Sequence, residues 1–289
     1  MPRKLTQNKI MIRYLSDSYN LEDIDVASTF DELSFWSAQF GILLFNNLTI
    51  ERNIKILDLA CGNGFPLFEL AQRFGSSCQV VGVDIWSAGL ERARQKQSIL
   101  QLANVKILEA NAENLPFSNE EFNLITINLG VNNFSNVSKV LSECHRVLKP
   151  NGKIALTTNV IGHFQEFYQV FREILEKFGE QSYLENLKTN ETHRGSKELF
   201  SQLLESAGFI INNTVEDKFI IRYSNADALF NHSLVKVGFL SGWKSIIKVE
   251  DREKIFSELE EELDKLAIKF SELKMSIPML YLEAKKTRK

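Results

Sequence analysis

Between about Lys55 and Val160, short apolar runs alternate with amphipathic segments. The apolar runs IKILDLA, QVVGVD, VKILEA, NLITINLG and KIALTTN are typical of buried strands. Segments such as SAGLERARQKQSILQL and NVSKVLSECHRVLK carry apolar residues at helical spacing. Strands that are apolar on both faces belong to parallel sheets that are covered by helices. The pattern therefore predicts a doubly wound α/β domain with its ligand beyond the carboxyl ends of the strands.

The segments outside this alternation are mostly helical and look like additions to the sheet domain. Strand patterns return only in FIINNTVEDKFIIRYS and in PMLYLEAKK near the end of the chain. We therefore predict an N-terminal helical cap segment, a cofactor-binding core, two helical cap insertions over the active site and a C-terminal part of the sheet. In that order, these are residues 1–50, residues 51–160, residues 161–195 with 224–275, and residues 196–223 with 276–289.

Composition narrows the class of protein. The chain has 289 residues, 44% hydrophobic and 25% charged, which is ordinary for a soluble globular protein. A net charge of −3 offers no basic footprint for nucleic acid, and the run FGILLF is far too short to span a bilayer. Three scattered cysteines and the lack of a secretory segment favour a reducing cytoplasm. We predict a cytoplasmic protein with no nucleic-acid partner, no membrane and no metal.

The turn after the first predicted strand reads Asp58-Leu59-Ala60-Cys61-Gly62-Asn63-Gly64. A dinucleotide fingerprint would place a third glycine at Leu67 and would not include the acid Asp58. Helix N-termini bind anions, so a carboxylate beside one suits a pyrophosphate poorly. A ligand with a cationic ammonium group fits this turn better.

The second predicted strand ends at Asp84, 26 positions after Asp58 (84 − 58). A carboxylate at this place can accept both hydroxyls of a ribose, and Ile85 with Trp86 can offer an apolar face to a purine. The alternative is that Asp84 caps the following helix, although Ser87 is also available for that role.

Amides stand at the ends of the next two strands. Asn111 and Ala112 follow the third strand, where Asn111 can hydrogen-bond an adenine edge, and Asn128 ends the fourth. Taken alone, each asparagine is more often a turn residue. Four strand ends that offer acid, acid, amide and amide in register indicate one binding site more strongly than any single residue.

These motifs resemble those of the class I S-adenosylmethionine-dependent methyltransferases, in particular the small-molecule branch that includes quinone-biosynthesis C-methyltransferases. ILDLACGNG is similar to the first motif of that family, VVGVD to the second and ANAENLPF to the third. FNLITINLG is similar to the fourth-strand motif, and HRVLKPNGKIAL to the entry into strand five. The resemblance covers residues 50–160 and implies a seven-stranded, mostly parallel sheet that ends in a reversed hairpin.

The resemblance also implies a binding site for S-adenosylmethionine. The glycines would let the backbone approach the cofactor, Asp58 would lie near its methionine end and Asp84 would bind its ribose. Asn111 and Ala112 would frame the adenine, and Asn128 and Leu129 would border the methionine and sulfonium. Trp36 or Phe40 would close over the cofactor. The implied cofactor-binding residues are Trp36, Asp58, Ala60, Cys61, Gly62, Gly64, Asp84, Ile85, Asn111, Ala112, Asn128 and Leu129.

Two positions depart from the family pattern. Ala60 stands where the first motif usually has its first glycine, and Asn111 replaces a frequent aspartate. The second departure weakens only the adenine assignment.

The sequence therefore predicts an enzyme that transfers a methyl group from S-adenosylmethionine to a small organic acceptor, as a monomer or homodimer. No residue stands out as a catalytic base. Two alternatives remain: a catalytically silent S-adenosylmethionine-binding protein, and a nicotinamide-dependent oxidoreductase, which Leu67 and Asp58 disfavour. An RNA methyltransferase is disfavoured by the net charge.

Overall fold

The computed structural model describes residues 12–31 and 34–287, so residues 1–11 of the predicted N-terminal cap segment lie outside it. The strands found in the described residues are β1 Lys55–Leu59, β2 Gln79–Asp84, β3 Val105–Glu109, β4 Phe122–Asn128, β5 Leu148–Asn159, β6 Phe209–Tyr223 and β7 Leu273–Lys286. They form one seven-stranded sheet in the order β3-β2-β1-β4-β5-β7-β6.

The helices of the described residues lie before the first strand, in the connections between strands and in the two predicted insertions. They are α1 Ile24–Thr29, α2 Ser34–Asn47, α3 Leu67–Phe74, α4 Ser87–Leu100, α5 Val137–Val147, α6 Gln165–Phe178, α7 Gln181–Thr192, α8 Lys197–Ser206, α9 Ala226–Asn231, α10 Ser233–Gly238, α11 Leu240–Ser245 and α12 Val249–Phe270.

The sheet confirms the predicted doubly wound fold. Strands β1 to β5 pair in parallel, with Asp58 opposite Gly82 on β2 and opposite Thr126 on β4. Strand β7 runs antiparallel to β5, which is the reversed end that the resemblance implied. The carboxyl ends of the parallel strands consequently meet at one edge, and every predicted site residue but Trp36 lies at or just beyond such an end.

The apolar strands are buried because helices cover both faces of the sheet. Leu57, Ile125 and Ile154 form part of a continuous core that α5 and α8 complete. One buried strand position is a glycine: a Cβ built on Gly82 would lie 2.6 Å from Leu67 Cδ2 and 2.9 Å from Cys61 Sγ. Leu67 thus fills the space that a side chain on β2 would otherwise occupy.

Residues 20–31 and 34–50 group with the sheet, whereas the sequence pattern suggested one cap segment over residues 1–50. Helix α2 is apolar nearly all round, and it packs against β4 and β5 with Phe40 and Leu44 fully buried. Helix α1 packs against α4. Phe35 and Ile42 of α2 are 76% and 55% exposed, so one face of the helix is buried on the sheet and the other is open.

The structure also begins β5 earlier than the pattern suggested, since the PNG turn signal lies inside the strand. Leu148 already pairs with Phe122, and the register shifts between Phe122 and Leu124. Asn151 takes up the irregularity with a φ of 66°, a conformation that asparagine tolerates better than most residues.

A second compact unit consists of residues 12–19, Phe164–Glu191 and Ile221–Met275, which include most of both predicted insertions. Its core is aromatic: the Trp243 ring stacks on Phe167 with 4.0 Å between ring centroids. Trp243 Nε1–H donates to the Tyr168 hydroxyl over 3.1 Å, and that hydroxyl donates to Asn190 Oδ1 over 2.6 Å. A fully buried indole N–H needs such an acceptor, so this polar chain stabilises the unit.

Gly82→Ala is expected to lower the free energy of unfolding by about 1–3 kcal/mol, because the added methyl group overlaps Leu67 and Cys61 in a packed interior. Urea titration followed by circular dichroism measures the effect. Gly238→Ala is the matched control, since the nearest atom to its added Cβ is 3.9 Å away. Equal stability of both variants would show that β2 has room for a side chain.

Candidate functional site

The turn after β1 depends on left-handed backbone conformations. Gly62 has a φ of 52° and Gly64 a φ of 107°. A Cβ on Gly64 would lie 2.1 Å from Phe68 Cε2, so only glycine fits there, whereas one on Gly62 would meet nothing nearer than Trp86 at 3.9 Å. The backbone is therefore packed on one side of the turn and open on the other.

Ala60 also has a positive φ, of 60°, although it carries a Cβ. This conformation normally favours glycine, so the departure from the family motif carries a cost in backbone strain. Its methyl group would lie 2.5 Å from a Cβ built on Gly130, the residue that follows β4 and its loop residue Leu129. A glycine at 130 thus makes room for the alanine at 60.

Asp84 holds this turn through its carboxylate. The Gly62 N–H donates to Oδ2 over 2.8 Å, and the Ile85 and Trp86 N–H groups donate to Oδ1 over 2.7 and 2.9 Å. Helix α4 begins only at Ser87, and Trp86 occupies the N-cap position. Asp84 therefore organises the turn before the helix rather than capping it. An ionised carboxylate oxygen accepts two hydrogen bonds, so Oδ2 keeps acceptor capacity toward a ligand.

Asp58 is a fully buried carboxylate, and Thr126 Oγ1–H donates to its Oδ1 over 2.7 Å. Among the described residues, its Oδ2 accepts no hydrogen bond of good geometry, although the Leu67 N–H lies close enough to lower the pKa of this carboxyl group. Burial raises the pKa of Asp58 to about 7; the Thr126 hydrogen bond opposes this shift and the nearby charge of Asp84 reinforces it. A buried oxygen without a partner is costly, and a cationic ammonium group would satisfy it. This buried acceptor thus fits the ammonium group at the amino-acid end of the implied cofactor.

The third strand end is less open than the sequence suggested. Asn111 Oδ1 accepts the Glu113 N–H over 2.8 Å, and the Asn111 carbonyl accepts the Asn114 N–H over 3.0 Å. Asn111 therefore closes a turn through its Oδ1 and its carbonyl, while its contact with the adenine stays a prediction. Ala112 is buried in the core of the sheet.

The fourth strand end is joined to the fifth. Thr157 Oγ1–H donates to Asn128 Oδ1 over 2.7 Å, and the Leu129 N–H donates to the Thr157 carbonyl over 2.8 Å. Leu129 has a φ of 64°. The Asn132 side-chain amide then donates to Thr158 Oγ1 over 2.8 Å. Sequence reasoning missed these threonines, and their only signal was hydroxyl residues among apolar ones near the strand ends.

Trp36 lies near the end of β5. Its ring centroid is 5.3 Å from that of Phe40, 5.6 Å from that of His163 and 5.7 Å from that of Phe219. Burial, with a smaller contribution from the charge of Arg194, holds the pKa of His163 well below its usual value. We call Trp36, Phe40, His163 and Phe219 the aromatic wall; it is uncharged at neutral pH.

Cys61 and Ile85 are placed very differently. The Cys61 thiol is buried against β2, and burial raises its pKa well above the usual value, so the thiol stays protonated. Ile85 is 68% exposed at the end of β2. The neighbouring indole of Trp86 is held by the N-terminal segment, since its Nε1–H donates to the Leu21 carbonyl over 2.6 Å and Phe30 packs edge-on at 5.0 Å.

One further contact escaped the sequence analysis. Asp31, just after α1, accepts hydrogen bonds from the Asn63 side-chain amide of the glycine turn and from Arg92 and Lys96 of α4. Partial burial alone would raise the pKa of Asp31, but the hydrogen bonds from Lys96 and Arg92 hold it below the usual value. An acid outside every motif gives no signal of this kind.

A glycine turn between two strand-end acids, at the carboxyl edge of a doubly wound sheet, defines an α/β enzyme that binds a cofactor with a nucleoside. A family model described as "Methyltransferase domain" matches residues 50–208, more than half of the chain. The chain belongs to this family, as a class I S-adenosylmethionine-dependent methyltransferase. It is an enzyme that uses S-adenosylmethionine to methylate a small organic molecule.

Individual proteins are similar to this chain in sequence or in fold. The chain is 36% identical over 173 residues to the demethylmenaquinone methyltransferase of Geobacillus sp. strain WCH70, a match that covers 56% of this chain and 74% of the relative. The YcgJ protein of Bacillus subtilis has a similar fold, with a TM-score of 0.56 at 16% identity over 86% of this chain and 98% of that one.

A third similar protein was solved with the cofactor. Phosphoethanolamine N-methyltransferase 2 of Haemonchus contortus, in complex with S-adenosyl-L-methionine, has a TM-score of 0.52 at 17% identity over 87% of this chain and 53% of that one. In the described part of our chain, no helix is both long and apolar enough to cross a membrane.

Asp58→Asn is expected to change how stability depends on pH. The pKa of Asp58 is about 7 in the folded protein against about 3.9 when unfolded, so the folded state binds the extra proton in between. The contribution of Asp58 to the free energy of unfolding is therefore fully present below about pH 4. It is lost as pH rises toward 7, by on the order of 1 kcal/mol per pH unit. The variant lacks this loss.

Urea titrations of both proteins between pH 5 and pH 8, in the absence of cofactor, measure the difference in free energy of unfolding. The wild-type advantage over the variant should shrink as pH rises. A difference that stays constant over this range would mean that Asp58 does not titrate there.

Proposed function

We propose that the acceptor is a hydroquinone, the electron-rich reduced form of a quinone: one ring carbon gains the methyl group and loses its hydrogen as a proton to the solvent. The name of the Geobacillus relative specifies demethylmenaquinone, a quinone, as the molecule that it methylates. The geometric observation that carries the proposal is the aromatic wall: Phe40 and His163 are buried behind the half-buried rings of Trp36 and Phe219, and uncharged aromatic rings suit a flat apolar acceptor. Its residue His163 lies four residues after β5, the strand that is hydrogen-bonded to Asn128 and Leu129.

The proposed cofactor contacts follow the strand ends. Asp84 would accept the ribose hydroxyls, and Asp58 would hold the ammonium group. The open face at Gly62 would admit the methionine part of the cofactor, which Asn128 and Leu129 would border. Ile85, Asn111 and Ala112 would surround the adenine. The cofactor supplies a methyl group that its sulfonium already activates, so these residues have to position the two molecules and exclude water.

The remaining predictions belong to the same proposal. A net charge of −3 and a small-molecule reaction support a protein that binds no nucleic acid. We propose a cytoplasmic monomer or homodimer that is not embedded in a membrane. Light scattering of the purified chain and RNA titration at low salt test the oligomeric state and the nucleic-acid statement separately.

Asp84→Ala is expected to weaken S-adenosylhomocysteine binding by at least about 100-fold, since two charge-assisted hydrogen bonds to the ribose would be lost. Calorimetric titration measures the affinity, with NAD(H) and NADP(H) as cofactors that should not bind. Circular dichroism confirms that the variant is folded. An unchanged affinity in a folded variant would sink the ribose assignment.

The acceptor class is tested with 1,4-dihydroxynaphthalene and labelled S-adenosylmethionine. We expect a product whose new methyl group lies on a ring carbon, identified by mass spectrometry and NMR. Catechol, a primary amine and tRNA serve as acceptors for oxygen, nitrogen and nucleic-acid methylation. A labelled product from one of these, with none from the naphthohydroquinone, would overturn the hydroquinone proposal and leave methyl transfer intact.

A further inference from the structure

The glycine turn has few groups by which the protein can hold it. Gly62 and Gly64 have no side chains, and both have backbone conformations that are left-handed and costly to order. The Gly62 N–H is fixed by Asp84 over 2.8 Å. The Gly64 N–H donates to the Cys61 carbonyl over 2.9 Å, and the Gly64 carbonyl accepts the Phe68 N–H over 3.1 Å, so these bonds join the turn to its own neighbours. Asn63 lies between the two glycines, and its side chain makes an attachment to a more distant part of the chain.

That attachment is to Asp31, which lies 32 positions earlier in the chain. Asn63 Nδ2–H donates to Asp31 Oδ1 over 2.7 Å. The turn is thus held from two sides, by Asp84 through the backbone and by Asp31 through a side chain. Both holding groups are carboxylates, and hydrogen bonds to ionised groups are stronger than neutral ones.

The Asp31 carboxylate is itself held by helix α4. Arg92 donates to Oδ2 from Nε over 2.8 Å and from its terminal nitrogen over 2.7 Å, and Lys96 Nζ donates to Oδ1 over 2.7 Å. Arg92 and Lys96 are four residues apart and therefore share one face of the helix. Strand β2 thus places Asp84, and helix α4, which begins three residues later, holds Asp31.

The N-terminal segment has other attachments that do not involve Asp31. The Trp86 indole donates to the Leu21 carbonyl, and Phe30 packs edge-on against the same ring. Loss of the Asp31 charge should therefore loosen the turn without detaching the segment. This separation lets the role of Asp31 be tested apart from the fold.

We propose that Asp31 is a positioning residue for the cofactor: through Asn63 it holds the glycine turn in its binding conformation. The inference rests on the cofactor site proposed above. A turn that is ordered before binding loses less conformational entropy when the cofactor arrives, so its affinity is higher. Asp31 touches no reacting atom in this scheme, and its effect is confined to cofactor binding.

Asp31→Asn and Asn63→Ala are each expected to weaken S-adenosylhomocysteine binding roughly tenfold in calorimetric titration, the size of one hydrogen bond to a charged group. The affinity of the double variant should be at most about threefold below that of the single variant with the lower affinity, because both changes break the same attachment. The KM for S-adenosylmethionine should rise while kcat stays near the wild-type value.

Glu262→Gln is the matched control, since Glu262 lies on α12 of the second compact unit and its exposed ion pair with Lys265, at 2.8 Å, involves no residue of the turn. Its affinity should equal that of the wild type. A folded Asp31→Asn variant that binds within twofold of the wild type would overturn the inference, as would fully additive losses in the double variant.

Asp84→Ala, titrated in parallel, distinguishes a failure of the positioning role of Asp31 from a failure of the proposed cofactor site. If Asp84→Ala abolishes binding while Asp31→Asn does not weaken it, the positioning role fails and the cofactor site stands. If Asp84→Ala also leaves the affinity unchanged, the cofactor site itself is misassigned and the inference falls with it.

Discussion

The site depends on one constraint, the parallel pairing of β1 with β2 in a register that places Asp58 opposite Gly82. This register brings Asp84 beyond the end of β1, where its carboxylate reaches the Gly62 N–H. It also places a residue without a side chain beside Leu67, so that α3 can pack on the sheet. A slip by one residue would turn every side chain of β2 to the opposite face. The turn, the position of Asp84 and the packing of α3 therefore all depend on this register.

Much of this arrangement could be predicted, because parallel strands end at a common edge. Apolar runs located the strands, and polar residues at their ends indicated a binding site before any contact was known. The order of the strands was not visible in periodicity, and the family resemblance implied only a mostly parallel sheet that ends in a reversed hairpin; the order comes from the structure. The contributions of Asp84 and Asp58 were predicted as ligand contacts, but their protein contacts were not: Asp84 also holds the turn, and Asp58 is buried against Thr126.

The rest could not be predicted because it depends on contacts between distant positions. Asp31 lies outside every motif, and only the fold brings it to Asn63 and to α4. Helix α2 is apolar on all sides, so no amphipathic stripe showed which surface it covers. The positive φ of Ala60 was equally hidden, since alanine gives no sign of a left-handed conformation and the glycine that accommodates it is 70 positions away (130 − 60).

These features that break local rules lie together. Ala60 and Leu129 have left-handed backbones at the ends of neighbouring strands, each at a cost on the order of 1–3 kcal/mol, and Asp58 is a buried carboxylate with one oxygen unsatisfied. Strain of this kind persists only where surrounding packing enforces it. A bound ammonium group would relieve the electrostatic cost at Asp58 but not the backbone cost. The backbone strain is therefore present both with and without the cofactor. The electrostatic cost at Asp58, which the cofactor would relieve, adds to the affinity for the cofactor.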